Sequence, residues 1–138
     1  MKKIFSKQDP EHLLAVINKK ESITNERTDL AGAWEPLQGS TKKLKAGDRF
    51  KPHRHNSLIR ETDITQEAWI ILEGKIKITL YDLDDSLFFE EELGSGDCLL
   101  TFRGGHTFEV LENDTLLYEF KNGPYLGVEA DKTLINES

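Results

Sequence analysis

The feature that most constrains this chain is a succession of strand-length segments between residues 38 and 121, most of them apolar from residue 67 onward. Glycine, asparagine or aspartate separates many of them, as in Gly94-Ser95-Gly96-Asp97 and Glu112-Asn113-Asp114. Many short strands joined by such turns are typical of an antiparallel sandwich or barrel. The sequence therefore predicts an all-β fold with strands at 38–45, 49–55, 67–82, 87–93, 98–102, 106–111 and 115–121.

The first third of the chain has a different pattern. Asp9 has the residue type of a helix N-cap, and Pro10 follows at the first helical position. Apolar residues then recur at helical spacing, which predicts a short helix over 10–20; they are Leu13, Leu14, Val16 and Ile17. We therefore divide the chain into an N-terminal helix and connecting segment, 1–37, and a barrel with a C-terminal tail, 38–138.

The apolar segment 67–82 changes its alternation near Gly74. Before this glycine the inward residues would be odd-numbered, and after it they would be even-numbered; the two sets are Glu67, Trp69 and Ile71, then Ile76, Ile78 and Leu80. A shift of one residue requires a bulge or kink, which glycine permits. The alternative is that the first half is buried on both faces.

Composition excludes several classes of protein. A net charge of −7 disfavours non-specific nucleic-acid binding, which needs a basic surface. Cys98 is the single cysteine, so no intrachain disulfide forms and a reducing, cytoplasmic setting fits best. No apolar run follows Lys2 and Lys3, and none approaches the ~20 residues of a membrane span, so we expect neither a signal peptide nor a membrane partner.

Residues 42–54 form a basic stretch in this acidic chain, with six basic residues against Asp48 alone. A local positive surface could attract an anionic ligand such as a nucleotide sugar or a carboxylate. The alternative is an ordinary solvated strand face.

Three histidines and one glutamate are candidate metal ligands. His53 and His55 are two residues apart, so in an extended segment both imidazoles point to one side. His106 begins a later segment and shares its apolar face with Phe108, while Glu67 supplies a carboxylate just before an apolar strand. Three imidazoles and a carboxylate suit Zn, Mn, Fe, Ni, Co or Cu.

The same residues resemble the two motifs of the cupin superfamily. The first motif is carried by Gly47, His53, Arg54, His55, Glu67 and Gly74, and the second by Gly96-Asp97 and Arg103-Gly104-Gly105-His106. The similarity covers about residues 38–120. The segment Tyr118 to Tyr125, with Asp131-Lys132, also resembles the ending of small metal-binding cupins of bacterial polysaccharide gene clusters.

This resemblance implies a double-stranded β-helix, the cupin jelly roll, with a divalent metal bound by His53, His55, Glu67 and His106. Eleven residues separate His55 from Glu67, more than in the usual motif, so Glu61 or Gln66 stays open as an alternative ligand. The resemblance also implies a homodimer, a small-molecule ligand and a role in sugar or polysaccharide metabolism.

Three functions follow as expectations. The first is a metal-dependent protein that acts on or binds a small sugar-derived or carboxylate ligand. The second is a non-catalytic, metal-containing binding or regulatory module. The third is a metal-free sugar epimerase or isomerase, with His53 or His106 as base and Tyr81 or Tyr118 as acid. The loop 56–66 would be either a lid or a partner contact.

Overall fold

The computed structural model describes residues 1–136 as a mainly β chain, which confirms the all-β class. Within these residues the strands are β1 (Lys2–Phe5), β2 (Leu13–Asn18), β3 (Arg27–Asp29), β4 (Ser40–Lys42), β5 (Glu67–Glu73), β6 (Lys75–Tyr81), β7 (Leu87–Gly94), β8 (Cys98–Thr101), β9 (Gly105–Val110) and β10 (Leu116–Lys121). A 3₁₀ turn covers Lys20–Ser22, and a one-turn helix, α1, covers Val128–Asp131.

All strand pairs are antiparallel. The described residues form a five-stranded sheet in the order β1-β2-β8-β5-β10 and a three-stranded sheet in the order β7-β6-β9. Strands β3 and β4 form a separate two-stranded sheet. Among residues 1–136, no helix has the length and apolar character needed to cross a membrane.

The predicted N-terminal helix over residues 10–20 is wrong, because Leu13–Asn18 forms strand β2. This strand lies between β1 and β8, and residues 14–18 are all buried. A short run that is apolar on both faces does not distinguish a strand from a helix, and here pairing with two neighbours decides. Asp9 belongs to the turn that precedes β2, where its carboxylate accepts a hydrogen bond from the Glu11 amide at 3.2 Å.

The predicted strand at 49–55 is also wrong, because residues 43–66 have no regular secondary structure. Pro52 lacks an N–H group for a strand ladder, and charged side chains surround it at Lys51 and Arg54. The strand predicted at 38–45 is shorter than expected, since β4 covers only Ser40–Lys42.

Gly74 marks the point where the chain passes from one sheet to the other. It has φ of +81°, and it lies between β5 of the five-stranded sheet and β6 of the three-stranded sheet. The buried residues switch from odd to even numbers as predicted; they include Glu67, Trp69 and Ile71 before the glycine, and Ile76, Ile78 and Leu80 after it. The predicted kink is therefore a change of sheet.

Two apolar clusters stabilise this arrangement. The larger cluster joins the inward faces of the two main sheets, with Trp69 and Ile71 from one and Ile78 from the other. The second cluster lies around Leu100, where Leu30 and neighbouring residues cover part of the five-stranded sheet. Cys98 packs against this cluster, and burial raises the pKa of its thiol to about 11, as expected of a small core residue.

Candidate functional site

A glutamate–histidine pair connects the two main sheets. Glu67 begins β5, and His106 lies in β9 of the facing sheet. The Nε2 atom of His106 is 3.0 Å from Oε2 of Glu67, a hydrogen-bond distance. The Glu67 side chain is only 4% exposed, so the imidazole provides a partner for a carboxylate that lies in the protein interior.

A pocket of about 520 Å³ opens beside this pair. Its aromatic wall contains Trp69, whose ring packs edge-on against His106 and Phe108 with centroid distances of 5.1 Å and 4.9 Å. Tyr81 lines the pocket as well, and the C-terminal segment 131–135 forms another part of the wall. The pocket thus combines a hydrogen-bonded carboxylate and imidazole with an aromatic surface, a common composition for small-molecule sites.

The charges around Glu67 favour its ionised form. The hydrogen bond from His106 lowers the pKa of Glu67 below its ordinary value of 4.5, although burial acts in the opposite direction. Electrostatic interactions with His106, Lys132 and Lys121 lower the pKa of Glu67 further, and Lys121 Nζ lies 3.9 Å from Glu67 Oε1. Glu67 is therefore a carboxylate at neutral pH, able to hold the His106 ring in one orientation.

The four predicted metal ligands lie in two pairs rather than one group. His53 and His55 are exposed in the segment 43–66, with ring centroids 5.4 Å apart. Glu67 and His106 form the hydrogen-bonded pair across the sheets. In the part of the chain that the structure describes, no three His, Cys, Asp or Glu side chains form a group able to hold a metal ion.

The alternative ligands have different surroundings. Glu61 is exposed in the same segment as His53 and His55. Gln66 is fully buried, and its amide oxygen accepts a hydrogen bond from the backbone of Leu37 at 2.8 Å. The buried amide of Gln66 is thus already engaged within the protein.

Of the predicted acid–base residues, the structure brings together His106 and Tyr81. Both line the pocket, whereas Tyr118 is more than half exposed on β10. His12, the remaining histidine, lies at the surface with Nδ1 2.8 Å from a carboxylate oxygen of Asp9.

Sequence reasoning missed Lys121 and the C-terminal segment 131–135 as parts of the site. Lys121 has the same parity as Leu117 along β10, and Leu117 packs against the core, so alternation could have indicated an inward lysine. No pattern in the sequence indicates that residues 131–135 return to the pocket, because this contact depends on tertiary structure. A scan against protein-family models and searches of curated proteins and solved structures each found no match for this chain.

Proposed function

We propose that this chain is a cytoplasmic, cupin-like jelly-roll protein that binds a small sugar-derived or carboxylate ligand in the pocket beside Glu67 and His106. The observation that carries the proposal is the hydrogen bond between the buried carboxylate of Glu67 and the partly exposed imidazole of His106 at the wall of the pocket. Convergent polar groups in a concave, partly aromatic site are the usual features of a ligand site. Two facing antiparallel sheets joined through Gly74 are consistent with a jelly roll.

The chemistry that this pocket supports best is proton transfer without a metal. In neutral His106 an Nε2–H group donates to the Glu67 carboxylate, which fixes the ring and leaves Nδ1 to accept a proton from a bound ligand. Tyr81 lines the same pocket and is the candidate acid. Among the sequence-based expectations, the geometry therefore favours a sugar epimerase or isomerase that uses His106 and Tyr81.

Ligand binding is expected to change the NMR signal of a single indole group. The chain has two tryptophans, and Trp34 is 96% exposed, so a Trp34→Phe variant leaves only the indole of Trp69. Glucose, glucuronate and malonate serve as separate probes in a titration followed by ¹H–¹⁵N correlation spectra. We expect at least one probe to shift the Trp69 signal, and Glu67→Gln to weaken that binding by about tenfold or more, because the His106 ring is then no longer held by a carboxylate.

The matched control is Glu11→Gln, which removes a carboxylate from an exposed turn far along the chain from the pocket. Its titration should match that of the parent. The proposal is rejected if none of the three probes shifts the Trp69 signal, or if Glu67→Gln and Glu11→Gln bind equally well. A probe that binds and is recovered unchanged supports the binding module over the enzyme.

A divalent metal bound by His53, His55, Glu67 and His106 is the second candidate. It is supported by the two close pairs, one with ring centroids 5.4 Å apart and the other with a 3.0 Å hydrogen-bond distance. To form one site, the segment 43–66 would have to bring its histidines to the pocket. A metal bound there would polarise ligand oxygen atoms.

Elemental analysis tests this candidate on wild type and on the variants His53→Ala, His106→Ala and His12→Ala. We expect one equivalent of metal in wild type and in His12→Ala, the surface control, and its loss in the other two variants. Wild type that stays metal-free after incubation with Mn, Fe, Ni and Zn would reject the four-residue site. Metal retained by His106→Ala would reject it as well, because the ion would then belong to His53 and His55 alone.

The outer face of β10 supports the expected homodimer. Leu116, Tyr118 and Phe120 alternate along this strand and are each about half exposed. Within the described residues β10 is the edge of its sheet, so a two-fold axis could pair it with the same strand of a second copy. In sedimentation velocity we expect a wild-type dimer and a monomeric Tyr118→Glu variant, whereas a wild-type monomer would reject this arrangement.

A further inference from the structure

We propose that Gln66 is a positioning residue for the pair formed by Glu67 and His106. Its importance for activity rests on the proposed function, but its effect on the geometry of the pair does not. Gln66 directly precedes Glu67 and is fully buried, which is unusual for a glutamine side chain. Its hydrogen bonds reach Glu35 and Leu37, which precede it in the chain, and Asn122, which follows His106.

The side-chain amide of Gln66 joins three parts of the chain. Its oxygen accepts a hydrogen bond from the Leu37 amide at 2.8 Å, and its nitrogen donates to a carboxylate oxygen of Glu35 at 2.7 Å. The same nitrogen lies 3.5 Å from the backbone oxygen of Phe102, just after β8. The amide offers both an acceptor and donors, whereas an ionised glutamate or an aliphatic residue would leave buried groups without partners.

Glu35 extends this connection toward His106. While one of its oxygens accepts from Gln66, the other accepts from Nη1 of Arg103 at 2.9 Å. Arg103 begins the turn that leads into β9, three residues before His106. The Glu35 carboxylate therefore joins the residue beside Glu67 to the turn that places His106.

Asn122 connects Gln66 to the end of β10, next to Lys121. Its side-chain oxygen accepts a hydrogen bond from the Gln66 backbone at 2.7 Å, and its nitrogen donates to the Ile64 carbonyl at 2.9 Å. Asn122 directly follows Lys121, whose ammonium lies 3.9 Å from Glu67. Glu67, His106 and Lys121 are thus each within three residues of a group bonded into the Gln66 network.

A network of this kind could simply stabilise the fold, so the test needs a signal that stability alone does not change. The ¹³C and ¹⁵N shifts of the His106 ring at one fixed pH provide it, because they depend on the hydrogen bond to Glu67. The His106→Gln spectrum identifies the His106 signals by their absence. The Glu67→Gln spectrum gives the shifts of the His106 ring without its carboxylate partner.

We expect Gln66→Met, which preserves length and burial but removes the amide, to move the His106 shifts toward those of Glu67→Gln. The matched control is Asp97→Asn, which alters another buried polar group, bonded to the backbone amides of Lys20 and Gly94. Asp97→Asn should leave the His106 shifts at their wild-type values even if it lowers Tm as much as Gln66→Met does.

The positioning role is overturned if Gln66→Met lowers Tm but leaves the His106 shifts unchanged. If Gln66→Met does not fold, Glu35→Gln replaces it, since this variant keeps the side-chain size and removes the charge between Gln66 and Arg103. We expect a smaller displacement of the His106 shifts in the same direction, and no displacement would also overturn the proposal. These shifts are measured without ligand, so failure of the ligand titrations would leave this test intact.

Discussion

Replacing Gly74 with alanine is expected to lower the free energy of unfolding by about 3 kcal/mol. Gly74 has φ of +81°, a conformation that residues with a side chain adopt only with strain. A Cβ at this position would lie 2.9 Å from Thr115 Cα, and a backbone atom cannot rotate away. Urea unfolding of wild type and of Gly74→Ala measures this loss of free energy.

Gly94→Ala is the control for this prediction. Gly94 ends β7 and pairs with Lys75, next to Gly74, but the nearest contact of its Cβ would be 3.9 Å away. Its φ is outside the left-handed region, so we expect a change below about 1 kcal/mol. Equal stability of the two alanine variants would show that the change of sheet at Gly74 does not depend on glycine.

Replacing Asp82 with asparagine is expected to lower the free energy of unfolding by about 2 kcal/mol near neutral pH. Asp82 is buried at the end of β6, and its carboxylate accepts hydrogen bonds from the Ser6 hydroxyl and from the amides of Lys7 and Leu83. These bonds hold the chain after β1 against the turn between β6 and β7. An amide accepts them less strongly and adds two donors that need partners of their own.

The effect of Asp82 should depend on pH. Burial raises the pKa of Asp82, but the hydrogen bonds from Ser6, Leu83 and Lys7 outweigh it and lower the pKa below its ordinary value of 3.8. Because the pKa is lower in the folded than in the unfolded state, the stabilisation is present above 3.8 and is lost as the pH falls through the folded-state pKa. The difference between wild type and Asp82→Asn should therefore shrink below about pH 4.

Asp85→Asn removes a charge from the same turn and serves as the comparison. Asp85 is exposed and has φ of +63°, a conformation that asparagine tolerates. In urea unfolding at neutral pH and at about pH 3, this variant should therefore have the same free energy of unfolding as wild type. A constant difference between wild type and Asp82→Asn from neutral pH to about pH 3 would contradict the assignment to the Asp82 carboxylate.

The sequence was most informative where one face of a strand is apolar. Alternation around Gly74 predicted which side chains of β5 and β6 are buried, because residues of a strand that share a face also share parity. Periodicity misled for β2, whose residues 14–18 are buried on both faces, so that its apolar residues do not alternate and matched a helical spacing instead. Strand pairing is a long-range property, so the position of β2 between β1 and β8 could not be predicted locally.

The candidate site was predictable only in part. Glu67 and His106 were both named from the sequence, and the structure brings them together because the two sheets face each other. His53 and His55 were expected beside them, yet they lie in the exposed segment 43–66. The spacing of two histidines determines their relation within one segment, but it contains no information about where that segment lies.

The location of Glu67 and His106 on opposite sheets has a consequence for partly folded forms of this protein. A molten globule keeps much of its secondary structure but loses fixed packing between its layers. The strand pairs within each sheet could persist in that state, while the Glu67 carboxylate and the His106 imidazole would separate. The pair therefore exists only when the core between the sheets is fully packed, and a fragment that contains one sheet without the other would lack the site.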